Sequence, residues 1–170
     1  RQVEHILADS TAKVLFINKA RLKQLDLGQL DSIEHIIVSD GESDNSHRIK
    51  IWTLDDLLSL STRTIEAQNI IDSDVVSIFY TSGSTGSPKG VVLSHRNMVM
   101  GAKSVQEYLP CQSSDVMLAT QPLSFDYGFS QISIAFLTGA SCYLHDYFFE
   151  NDFFKIINEQ KITTLALVPP

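Results

Sequence analysis

With 170 residues, 44% hydrophobic and 19% charged, the chain is long enough to bury a core and too apolar to stay disordered. A net charge of -7 argues against nucleic acid as a partner, since phosphate backbones are held by an excess of Lys and Arg. The longest uncharged run, residues 127–144, contains Gln131, Gly128, Gly139 and several hydroxyl residues, which is too polar for a membrane span.

In chain order, KVLFI (13–17) reads as a strand, residues 21–27 as a short helix and HIIVS (35–39) as a second strand. The polar stretch DGESDNSHR (40–48) reads as a surface loop and a candidate division between residues 1–45 and 46–170. IKIWT (49–53) is a third strand, followed by a short amphipathic stretch over 54–60. The apolar run 75–80 reads as a buried strand and GVVLS (90–94) as the next, with a helix over 95–109. A strand over 115–120, a helix over 128–138 ending at Gly139, and strands over 141–145 and 162–168 around a helix at 150–160 complete the chain. Repeated β–α alternation with unalternating apolar strands predicts an α/β fold, a mostly parallel sheet flanked by helices.

Cys111 and Cys142 show neither CxxC pairing nor metal-ligand spacing and read as reduced core residues of a cytoplasmic protein. No Met opens the chain and Pro169-Pro170 closes it, so a piece of a longer protein is expected.

Between the two central strands lies YTSGSTGSPKG (80–90), with three glycines, one proline and one lysine. Composition alone suggests a plain loop, but α/β sheets place ligands at the carboxyl ends of strands. Gly83 and Gly86 allow close backbone approach and an anion nest, Ser82, Ser84 and Thr85 add hydroxyl donors, and Lys89 adds a mobile charge suited to phosphate. The charge distribution agrees. Residues 26–74 hold eleven acidic and three basic side chains, leaving nine acidic and ten basic for the remainder, where the loop lies. A Walker loop counted from Gly83 requires glycine where Pro88 stands, and the dinucleotide pattern GxGxxG also fails.

YTSGSTGSPKGVVLSHRN (80–97) closely resembles the signature loop of the adenylate-forming superfamily, which includes acyl-CoA synthetases, luciferases and peptide-synthetase adenylation domains. EHILADSTAKVLFI, QPLSFDYGFSQISIAFLTGASCYL and ITTLALVPP resemble further segments of the same large N-terminal domain. The resemblance implies ATP with Mg²⁺ as cofactors, and an acyl-adenylate formed with release of pyrophosphate. The acyl group then passes to a thiol of coenzyme A or a carrier protein's phosphopantetheine. Thr81, Ser82, Gly83, Ser84, Thr85 and Gly86 are implied to wrap the β- and γ-phosphates, with Thr85 and Lys89 as catalytic candidates. Lys89 could instead only tether the loop. Ser94 is placed to cap the following helix, and His95 reads as structural, because a carboxylate needs no base at neutral pH.

The stretch Ser124-Phe125-Asp126-Tyr127-Gly128 departs from the PLFHxxG pattern of many members. Phe125 stands where the resemblance puts the border of the acyl pocket. Asp126 matches the residue that meets an α-ammonium in amino-acid-activating members, so the substrate is a small carboxylic acid or an amino acid. The competing reading of Asp126 is a helix cap. No lid, adenine-binding motif or acidic Mg²⁺ ligand is found in the sequence, so this fragment alone is expected to be inactive. A non-catalytic nucleotide-binding or scaffolding module is the rival function.

Overall fold

The computed structural model describes residues 2–44, 46, 48–60, 68–83, 86–146 and 150–167. The chain forms two compact units, residues 1–69 with 80–90, and residues 70–79 with 91–170.

In the first unit, α1 (Gln2–Asp9) leads to β1 (Val14–Ile17), α2 (Lys19–Leu22), β2 (His35–Val38), β3 (Lys50–Thr53) and α3 (Leu54–Ser59). The strands form one parallel sheet in the order β1-β2-β3, with Leu15 opposite Ile36 and Ile36 opposite Ile51. β-branched residues suit these strands because they pack on a pleated surface. Ile36 is wholly buried, and burying a side chain of that size stabilises by about 1.5–3 kcal/mol. Leu7, Leu30, Ile33, Val38, Ile49 and Ile51 complete the core around it. α3 starts at a capping box in which Thr53 and Asp56 satisfy each other's backbone N–H groups.

Three expectations change here. Helix α1 is present where no helix was expected. The helix expected at 21–27 is instead α2, ending at Leu22, with a separate 3-10 turn at Leu27–Gln29 capped by Asp26. The division expected at 40–48 falls inside this unit, because β2 and β3 pair across it.

β4 (Val75–Thr81) and β5 (Lys89–Ser94) pair with one another. His95 N–H donates to the Asp74 carbonyl at 3.0 Å, so the end of β5 returns to the start of β4 and the pair is a hairpin. The buried strand expected at 75–80 is a strand, but Val75 and Val76 are 59% and 44% exposed. The pair gains no third strand among the described residues, which leaves apolar Val91 and Val92 open as well.

The second unit continues with α4 (His95–Tyr108), β6 (Val116–Ala119), α5 (Asp126–Thr138), β7 (Ser141–Leu144), α6 (Glu150–Glu159) and β8 (Thr164–Leu165). Its sheet is parallel, in the order β7-β6-β8. The central strand buries Met117, Leu118 and Ala119. Ser94 caps α4 as expected, its Oγ accepting from Asn97 N–H at 3.2 Å while Asn97 Oδ1 accepts from Ser94 N–H at 2.9 Å. Gly139 closes α5 in the left-handed conformation, φ 73°, that favours glycine. The strand expected over 162–168 is only the two residues of β8, and residue 168 lies outside the described residues. The cysteines are free and half-buried rather than core, and burial pushes both thiols above their ordinary range.

Several carboxylates are held ionised below their ordinary range. Lys13 does this for Glu34, the Lys19 N–H for Asp40, the Thr53 N–H for Asp56, and the Gln112 N–H with the Thr163 hydroxyl for Asp115. A depressed folded-state pKa gives stability that is present above the unfolded value and lost as pH falls through the folded one. The thermal midpoint is therefore expected to hold at neutral pH and fall below about pH 4, where free carboxyls protonate. Circular-dichroism melts from pH 6 to pH 2 check this, and a flat profile would remove the argument.

Candidate active site

The phosphate-loop candidates belong to the first unit. Thr81 ends β4, Ser82 and Gly83 follow it, and Lys89 opens β5. Ser84 and Thr85 lie outside the described residues. Gly83 and Gly86 both have positive φ, 47° and 87°, and Gly86 N–H donates to the Gly83 carbonyl at 3.2 Å. Both glycines thus occupy backbone conformations that side chains disfavour, as a tight anion-binding turn requires. A Cβ at Gly83 would run into the Ser87 carbonyl oxygen and lie 3.4 Å from Lys89 Cγ, while one at Gly86 would meet open space. Lys89 is exposed, and no ion pair or hydrogen bond joins its ammonium to a described residue. Among the described residues that arrangement leaves the charge available to an anion.

Sequence reasoning missed the support of this loop. Tyr80 Oη donates to Asp9 Oδ2 at 2.6 Å, and His5 Nε2 lies 3.2 Å from the Pro88 carbonyl oxygen. The bond to Asp9 pushes the Tyr80 phenol above its ordinary pKa. Neither partner could be found by spacing, since they stand 71 and 83 positions apart.

The acid-pocket candidates belong to the second unit. Asp126 is the first residue of α5, whose N-cap is Phe125 and carries no side-chain cap bond. The capping reading of Asp126 is therefore corrected. The helix starts two residues earlier than expected because Phe125 N–H is taken by the Pro122 carbonyl at 3.0 Å, folding 122–125 into the turn that launches it. Gly128 is buried under that turn, where a Cβ would strike the Pro122 carbonyl oxygen and lie 2.8 Å from that of Gln121. A cavity of about 350 Å³ is lined by Asp126, Tyr127, Ser130 and Gln131 of α5, Tyr108 of α4 and Leu165 of β8, among others. Its size suits a small ligand. Phe125 is 53% exposed and does not line this cavity, so the two acid-pocket candidates part company.

Gln131 is the polar group that pattern reading passed over. It is 2% exposed on a helix face otherwise buried through Gly128, Ile134 and Ala135, and its Oε1 has no hydrogen-bond partner among the described residues. A lone amide inside an apolar helix face was the available signal. His95 takes no part in a described catalytic contact, and its backbone N–H serves the hairpin. No group of three or more His, Cys, Asp or Glu able to hold a metal occurs among the described residues, and no described helix is long and apolar enough to cross a membrane.

A family model described as AMP-binding enzyme matches residues 1–170. Surfactin synthase subunit 2 of Bacillus subtilis is 31% identical over 82% of the chain, which covers 4% of that protein. The 2-succinylbenzoate–CoA ligase of Listeria monocytogenes is 29% identical over 96% of the chain, covering 35% of the ligase. Among solved structures, an anthranilate CoA ligase in complex with anthranoyl-AMP superposes with a TM-score of 0.85 at 26% identity, over 96% of this chain and 32% of that one. The chain thus spans from a few per cent to about a third of the length of these proteins.

Proposed function

We propose, from the premise that this chain belongs to the AMP-binding enzyme family, that the whole protein activates a carboxylic acid with ATP and passes the acyl group to a thiol. The observation that carries the reading is the loop itself, with two positive-φ glycines and an exposed lysine ammonium beside them. The carboxylate would attack the α-phosphorus of ATP, forming the mixed carboxylic–phosphoric anhydride bond of an acyl-adenylate and expelling pyrophosphate. The acceptor thiol would then displace AMP, its proton leaving to solvent. Carboxylate and triphosphate repel, so positioning and charge neutralisation are what the protein must supply. Thr81, Ser82, Gly83, Gly86 and Lys89 would hold the β- and γ-phosphates, as would Ser84 and Thr85. Mg²⁺, arriving with ATP, would supply charge neutralisation to the triphosphate beside the hydroxyls of Thr81 and Ser82 and the Lys89 ammonium. The acceptor would be coenzyme A or a carrier protein's phosphopantetheine, and dependence on ATP and such thiols suits the cytoplasm. The unaltered loop favours this over a scaffolding module.

Pyrophosphate exchange by the whole protein with a panel of acids tests the reading. Acid-dependent exchange is expected; background exchange with every acid would remove it.

Asp126 supplies the substrate hypothesis. Its carboxylate on the cavity wall suits an ammonium, so amino acids are the class it favours. Asp126 is exposed in the unliganded protein, and Asp126→Ala is expected to cut activation of amino acids by about tenfold or more, the scale of one lost hydrogen bond between charged groups. Activation of acids without an ammonium should be spared. A whole protein that activates only such simple acids would end the ammonium assignment.

A further inference from the structure

We propose that helix α1 positions the phosphate loop, with Asp9 and His5 acting as positioning residues on its two ends through Tyr80 and Pro88. The proposal rests on the reading of this loop as the ATP-phosphate site.

His5 and Asp9 stand four residues apart in α1, so both project from one side of the helix. The helix has a seat of its own. Leu7 is buried in the first unit's core, and its carbonyl accepts from Ser32 Oγ at 3.2 Å and Ala12 N–H at 3.3 Å. From that seat Asp9 takes the Tyr80 hydroxyl at 2.6 Å at the end of β4, and His5 meets the Pro88 carbonyl at 3.2 Å just before β5. The first bond has an ionised acceptor and is short, as charge-assisted O–H···O⁻ bonds are. In the second, His5 donates to the Pro88 carbonyl when Nε2 carries the ring proton. An aspartate in the last turn of a helix faces the negative end of the helix dipole, so α1 itself gains nothing from Asp9. Its partner across 71 residues is the reason for it to be there.

Both bonds lie on the flanks of the turn made by Gly83 and Gly86, residues whose backbone loses more conformational freedom on ordering than others. Fixing its ends beforehand lowers that cost. The effect belongs on ATP binding, and leaves turnover at saturating ATP in place.

The test uses the whole protein with Tyr80→Phe, Asp9→Asn, the double variant and His5→Ala, each removing a polar contact on an exposed surface. Tyr80→Phe and Asp9→Asn are each expected to raise KM for ATP in pyrophosphate exchange by about three- to tenfold with kcat little changed, the scale of one ordinary hydrogen bond lost at an exposed site. The double variant should be no worse than either single one, because both break the same bond. Hydrogen exchange in a peptide spanning residues 78–90 should quicken while the rest of the first unit stays as in the wild type. Unchanged KM and unchanged exchange in that peptide overturn the proposal. So does a general fall in melting temperature and kcat without a local change, which would make the contacts ordinary stability bonds. If the wild-type protein exchanges no pyrophosphate with any acid, the functional reading fails, and hydrogen exchange alone then decides whether α1 orders the loop.

Discussion

Gly83→Ala is expected to lower pyrophosphate exchange by about 100-fold, the loss that a displacement of roughly an ångström at a reacting centre produces. Two separate constraints act at this residue. Its φ of 47° lies in the left-handed region, where a side chain costs about 1–2 kcal/mol. The added Cβ would also meet the Ser87 carbonyl oxygen, a backbone atom that cannot swing aside. Relief requires the turn to open, carrying Ser87 and Lys89 away from Gly83. Gly86 is the internal control. It has φ 87° but open space around it, so Gly86→Ala meets conformational strain without collision. Its expected loss is under about tenfold, since only the conformational term of roughly 1 kcal/mol applies. Rates for the two variants, with melting temperatures to show that both fold, check the ordering. Equal losses, or a fully active Gly83→Ala protein, would contradict the geometry.

Lys89→Ala should cost about 100- to 1000-fold in the adenylation rate, the range found when one preorganised electrostatic contact is removed from a transition state. The ammonium is exposed and bonds to no described residue, while the stem passes over Gly83. Charge and stem can therefore be separated. Lys89→Met keeps the stem and discards the charge; Lys89→Arg keeps the charge in a different shape. Methionine is expected to be as poor as alanine, and arginine to recover part of the rate. Wild-type rates in the methionine variant would show that Lys89 only packs against the loop. Exchange measured against both ATP and acid concentration distinguishes lost binding from lost turnover.

Much of this fold could be read from local chemistry. Apolar runs at 14–17, 36–38 and 116–119 became parallel strands, and Ser94 and Gly139 delimited their helices through a capping box and a left-handed residue. Those signals are local, which is why they survived. Helix α1 escaped because its apolar stripe is only one turn long, Val3, Ile6 and Leu7 within eight residues, with Leu7 alone fully buried. The apolar residues at 75–80 suggested burial, yet a run of valines cannot report whether another layer covers it. Asp126 beside a helix start suggested a cap, whereas the cap position went to Phe125 through a backbone bond from Phe125 to Pro122. The glycines of the phosphate loop announced themselves by composition, while Tyr80 and Asp9 share a bond that no short-range pattern encodes.

The buried contact at Gly128 bears on how an acid pocket of this kind can diversify. The first turn of α5 lies directly against the carbonyls of Gln121 and Pro122, with no room for even a methyl group at Gly128, so the backbone that carries Asp126 has a main-chain seat. Side chains on the cavity wall, such as Tyr127 and Ser130, can then be exchanged without moving that seat. If the cavity takes the acid as proposed, it separates into a fixed anchor and a replaceable lining, and selectivity among acids can then drift by single substitutions without shifting the backbone under Asp126.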